Sequence, residues 1–388
     1  MKRLIPLIVL LALGSALAFA DETTEVYRRL YLEAQGLSQK YAAALNLVQL
    51  RDASVAPILS DALTELISTQ KNYTTPTDRD LYSKIIRVLA QALGEDKYLD
   101  AAPSLWDAVQ QVPDPLVQAE ALMALGSMRA LDYAERISLL LRDLDLKPTV
   151  DPDYGEKVAY GAIIALEKLK DVRGFSPVFF ASVGWYSVRV RQLAANALPN
   201  IASDPTDPIA EILRNESADR KTLALNAEIA SQAPPERKIQ TAVLALNLGH
   251  EKLPGDRVEA RSFADLRKAS LRALIGLRAQ GDAPVSGCVN SYSKGFDDEE
   301  RLLALAALGA NGTDPAAIAL RDIILQLNAD QQSGITDDTR NRMARAAIEN
   351  AALTKNKLLK PALQSVAAND KWSGSVILAA QNALKALP

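Results

Sequence analysis

Apolar residues in this chain recur at intervals of three and four, and one version of that spacing returns many times. In VRQLAANAL (190–198), Val190, Ala194, Ala197 and Leu198 share one face of a 3.6-residue helix. The same offsets recur in segments starting at Val117, Val158, Arg220, Leu266, Glu300 and Val376, and in a bulkier version starting at Leu81. From Leu81 to Glu300 successive starts lie 30 to 46 residues apart, the length of one antiparallel helix pair with its turns. Alanine at offsets four and seven lets a neighbouring helix approach closely, while leucine or isoleucine fills the remaining volume.

A second kind of helix lies between these, opened by proline: Ala56-Pro57, Ala102-Pro103, Ser176-Pro177, Asp207-Pro208 and Lys360-Pro361. Proline suits a first turn because the amide it lacks has no intrahelical partner there. Ser203-Asp204 and Asp297-Asp298 read as helix starts whose side chains cap free amides. No segment alternates with period two, so the expected class is all-α, with 18 to 20 helices. The Pro- and Gly-bearing stretches 142–155 and 249–262 read as connectors that lengthen two of the intervals.

The Val-Arg-x-x-Ala-Ala-x-Ala-Leu helix at 190–198, with the Pro-containing helix at 175–183 before it, resembles the HEAT repeat family. The resemblance covers about 45 to 387 and is strongest from 115 to 230. It implies a right-handed α-α superhelix (a HEAT-like or armadillo-type solenoid) of about nine helix pairs, whose Val-Arg helices line the concave face. On that face would stand the offset-six residues Met123, Asn196, Asn226, Arg272 and Asn382. Arginine at offset one often forms a ladder between repeats in this family; Gln118, Ala159 and Ile377 replace it here, and those units are expected to lack the ladder. Residues 22–50 are helical but Tyr-rich and irregular, as befits a cap, so 21–388 reads as one solenoid.

The first twenty residues have the layout of a cleavable secretory signal: Lys2 and Arg3, an apolar run from Leu4 to Leu13, then Ala18-Phe19-Ala20. The apolar run is about ten residues, half of what spans a bilayer. Cleavage after Ala20 would yield a periplasmic or secreted protein with no stable membrane insertion. Loss of two of the 44 basic residues leaves 42 against 47 acidic, a net charge of −5, which argues against nucleic acid as a partner. Cys288, the only cysteine, cannot form an internal disulfide and reads as a buried core thiol.

Groups that carry catalysis are sparse. The only histidine, His250, ends a helix and reads as a cation offsetting the helix dipole. No catalytic, cofactor or metal site is expected, since nucleophile elbows, phosphate-binding glycine loops and soft-metal sets are all missing from the sequence. The acidic clusters at 297–300 and 337–338 read as helix starts; the Asp-rich connector 143–153 is the one weak calcium candidate. Asn72 and Asn311 match glycosylation sequons, relevant only in a eukaryotic secretory route.

Phe175, Phe179, Phe180, Trp185 and Tyr186 crowd into twelve residues beside Arg189 and Arg191. Phe175 and Phe179 are expected in the core. Trp185 and Tyr186 fall in a turn, where exposure with Arg189 would make an interface; alternatively Trp185 plugs the gap between repeats and Arg191 bonds neighbouring groups. A second candidate surface is the tyrosine set Tyr27, Tyr31, Tyr41, Tyr73, Tyr82 and Tyr98. The expected function is a non-enzymatic exported scaffold or adaptor for a protein or peptide, with Trp185, Tyr186, Arg189, Asn196 and Asn226 as partner-binding candidates. Alternatives are a HEAT-like lyase or glycosidic-bond cleaving enzyme, or a binder of envelope polymer or glycan.

Overall fold

A computed structural model describes residues 23–147, 151–335 and 337–388. The signal-like segment lies outside the described residues. Among those described there is no strand, and no helix is long and apolar enough to cross a membrane. The chain divides into two compact units, one ending at Ala202 and one starting at Ser203.

The first unit holds α1 (23–32), α2 (Leu37–Gln49), α3 (Ala56–Ser68), α4 (Pro76–Glu95), α5 (Ala102–Gln111), α6 (Pro115–Ser127), α7 (Ala134–Leu146), α8 (Pro152–Leu169), α9 (Phe175–Val183) and α10 (Val188–Ile201). Each even helix from α2 to α10 packs on the next even one, while α3 packs on α5 and α7 on α9. The template helices thus form one layer and the helices between them the other, and proline opens helices of both, α4, α6 and α8 as well as α3 and α5. Prolines 57, 103 and 177 stand in first turns, and Phe175 and Phe179 are buried.

Small residues set the spacing of the even layer. A Cβ on Gly126 would fall 2.6 Å from Ala165 Cα, and one on Gly161 would fall 2.6 Å from Ala119 Cα. The α6 and α8 backbones therefore meet almost directly, which is why alanine and glycine recur on this face.

The second unit repeats the arrangement with α11 (Thr206–Asn215), α12 (Ala218–Ala230), α13 (Pro235–Glu251), α14 (Arg257–Gly276), α15 (Ala283–Lys294), α16 (Asp298–Asn311), α17 (Asp314–Gln332), α18 (Asp338–Thr354), α19 (Lys360–Ala367) and α20 (Gly374–Ala386). Even helices again pack on even ones and odd on odd along the unit. Aspartates cap as expected: Asp297 accepts from the Glu300 amide at 2.9 Å and Asp337 from the Arg340 amide at 2.7 Å.

A feature with no recognised sequence signal ends six of the even helices. Arg51, Lys97, Arg129, Lys170, Arg278 and Lys355, each at the turn that follows one, have φ between 49° and 57°. This left-handed conformation favours glycine, but every such non-glycine residue here is basic, placing a cation beside the negative end of a helix dipole.

Several expectations change on folding. Asn311 is buried, donating to the Ala279 and Gly281 carbonyls at 2.9 and 2.8 Å, so its sequon presents no accessible acceptor. His250 is not a helix-end cation. Burial, with Arg267 adding repulsion, pushes its pKa down to about 4, and Nε2 lies 2.9 Å from Ser291 Oγ. Cys288 is buried as expected, its thiol pushed up to about 12.

Much of the supposed connector 143–153 is helical: Asp143 and Asp145 close α7, and Asp151 caps α8. Residues 148–150 within it lie outside the described residues.

Candidate binding surfaces

The aromatic turn after α9 is largely folded inward. Tyr186 is 2% exposed, contrary to its expected place at an interface. Its ring stacks at 4.3 Å on Trp185, whose indole Nε1 donates to the Leu144 carbonyl at 3.0 Å. Burial, then the nearby Asp145 carboxylate, raises the Tyr186 phenol well above its ordinary pKa. The turn plugs the space against α7, 41 residues back. Arg189 does remain exposed, its guanidinium 5.5 Å from the Tyr160 ring centroid. Arg191 is half-buried, and its guanidinium makes no hydrogen bond or ion pair among the described residues, so the ladder expected of it does not form.

At Gln118, one of the three positions where the arginine is replaced, a link between repeats does form. Gln118 Nε2 donates to the Val112 carbonyl at 3.0 Å, and its Oε1 accepts from the Tyr154 hydroxyl of the next even helix at 2.7 Å. In the second unit Arg267 is the corresponding group. It meets Glu300 through Nε at 2.6 Å and Nη2 at 3.0 Å, and donates from Nη1 to the Gly249 carbonyl at 2.7 Å. Both side chains of that ion pair are buried, and Glu300 is fully so. Glu300, expected only as a helix-start acid, therefore joins α16 to α14.

The candidate residues on the even layer of the second unit are open to solvent. Asn226 and Arg272 are exposed and together line a groove of about 710 Å³ between α12 and α14. Lys268 sits in its floor, bridging Asp297 at 3.1 Å and Glu299 at 3.3 Å. Asn196 is exposed on α10 of the first unit, and Asn382 on α20 of the second.

Another opening, of about 820 Å³, lies in the first unit over the start of α4 and the turn between α5 and α6. Tyr73 and Tyr82 stack on its wall with ring centroids 5.3 Å apart. Val112, Pro113, Pro115 and Leu116 make the facing apolar side. Lys71 and Arg79 line the groove with no ion-pair partner among the described residues, while Lys157 is held by Asp153. Asp114, the acidic residue of the groove, is committed to capping the Leu116 amide at 2.8 Å.

Of the six tyrosines, Tyr31 and Tyr82 are buried with hydroxyls that find no partner among the described residues. Burial, chiefly, raises both phenols' pKa values. Tyr27, Tyr41, Tyr73 and Tyr98 are half-buried. No signal local to the tyrosines separates these groups, because the wall they build depends on residues near 112–116.

No protein-family model matches the chain, and no curated protein matches it.

Proposed function

We propose that the chain is an exported, non-enzymatic scaffold of the α-solenoid type, HEAT-like in its helix pairs, that binds an extended peptide segment of a protein partner. The α4–α6 groove is its principal docking surface. The observation that carries this reading is the composition of that groove: a stacked tyrosine pair faces prolines and a leucine, with two unpaired cations beside them. Rigid aromatic area next to cations suits a peptide bearing an apolar residue close to an acidic one.

The even-on-even helix packing supports the solenoid reading, and the Lys2-Arg3 n-region with its apolar run supports export. Non-catalytic character is supported by the placement of the strongly perturbed groups. His250, turned to Ser291, and Glu228, enclosed against Thr206, line neither of the two grooves described above.

Peptide display against the whole chain from residue 21 tests the reading. Selected peptides should be enriched in acidic-apolar pairs and lose affinity about tenfold or more on Tyr73→Ala or Arg79→Glu. Peptides without that enrichment, or binding unchanged in both variants, would refute it.

A further inference from the structure

The second unit is entered through residues 203–206, a bend that ends on the first residue of α11. Thr206 is buried, and its one hydroxyl stands between two carboxyls, 2.6 Å from Asp204 Oδ1 and 2.7 Å from Glu228 Oε1. Asp204 also accepts from the Thr206 amide at 3.2 Å and meets Arg237 Nε at 3.2 Å. Glu228, on α12, is fully buried, and its second oxygen, Oε2, has no hydrogen-bond partner among the described residues. Just past α12, the Gln232 amide donates to the Ser203 carbonyl at 3.1 Å and closes the bend against that helix.

The cations nearby are committed elsewhere. Lys238 on α13 donates to the Ile229 and Ser231 carbonyls at 2.9 and 2.7 Å, and Arg237 holds Asp204 and Asp207. Asp204, Arg237 and Lys238 are the charged groups that act on Glu228, and Asp207 of α11 reaches it only through Arg237. The cluster is fully satisfied when Glu228 carries a proton: its carboxyl donates to Thr206 Oγ1, whose own proton goes to Asp204. The two carboxyls are driven apart in the same sense. Burial, chiefly, raises the pKa of Glu228; burial opposes the shift of Asp204, but the Thr206 hydroxyl and amide bring it below its ordinary value. An ionised Glu228 is a buried anion with one donor at most, a costly state unless water reaches it. Water supplies the missing donors where the Thr206 bend lifts.

We propose that Glu228 is a pH-sensitive latch: protonated, it fastens residues 203–206 to α12, and ionised, it releases them while the rest of the unit stays folded.

Hydrogen–deuterium exchange on the whole chain, resolved to single amides and corrected for intrinsic exchange at each pH, tests the latch. Protection of the Thr206 and Gln232 amides should fall about tenfold between pH 5 and pH 9, while α14 and α16 keep theirs. Glu228→Gln keeps a neutral donor in the same place and should leave both amides protected at either pH. Flat protection in the wild-type chain would overturn the proposal, because the bend would then stay closed over an ionised Glu228. A Glu228→Gln chain that loses protection as the wild type does would overturn it too, as would a fall shared equally by α14 and α16.

Discussion

The Arg267–Glu300 pair offers a sharp prediction. Glu300 is fully buried and accepts three bonds, from Arg267 Nε at 2.6 Å, Arg267 Nη2 at 3.0 Å and the Phe296 amide at 2.9 Å. Glu300→Ala removes both acceptor oxygens and all three bonds, and leaves a buried guanidinium held only by the Gly249 carbonyl. Charged hydrogen bonds contribute about 1.5–3 kcal/mol each, but burying both ions also costs desolvation, so gross and net values differ. Stripping one partner from such a pair costs about 3–5 kcal/mol. The double variant Arg267→Met/Glu300→Leu removes both charges and should be less destabilised than Glu300→Ala alone. Urea denaturation followed by circular dichroism at 222 nm measures each loss. A Glu300→Ala loss below about 1 kcal/mol would refute the buried ion-pair reasoning, as would a double variant less stable than Glu300→Ala.

Other outcomes follow from the same packing. Gly161→Val would push atoms within 2.6 Å of Ala119 Cα, and overpacking there should cost about 1–3 kcal/mol, read as a lower urea midpoint. The His250 imidazole protonates near 6.5 when unfolded and near about 4 when folded, so its contribution is complete above pH 6.5 and is lost as pH falls. That loss reaches at most about 3 kcal/mol by pH 4 in a denaturation series, and His250→Asn should flatten this part of the pH dependence. Thr206 Oγ1 lies 2.6 Å from Asp204 Oδ1 and 2.7 Å from Glu228 Oε1. A hydroxyl has one proton to share between the two carboxyls, and buried Glu228, its pKa raised chiefly by burial, is the more readily protonated of them. Its contribution is complete in acid and is lost as pH rises through the folded pKa, so Glu228→Gln should be stabilising relative to wild type at pH 9 and near neutral at pH 5.

How much was legible in the sequence follows the range of the interaction. Helix faces and first-turn prolines are local, so Val190 to Leu198 and Pro57, Pro103 and Pro177 could be read from spacing alone. Tyr186 could not, because its burial is decided by α7 and Asp145, 41 residues earlier in the chain. Gln118 misled for a different reason. An amide satisfies the same carbonyl as a guanidinium, so losing the arginine did not mean losing the ladder. The α4–α6 groove joins Tyr73 to Pro113 and Pro115 across 40 residues, a pairing no helical period reveals. The left-handed Lys and Arg turns escaped notice because glycine, the expected marker, is absent from them.

The central claim, that the α4–α6 groove docks an extended peptide, is tested most directly by hydrogen–deuterium exchange on the chain with and without a selected peptide. Added protection should concentrate in residues 70–83 and 112–118. Protection confined to 185–196, or spread evenly over both units, would contradict it.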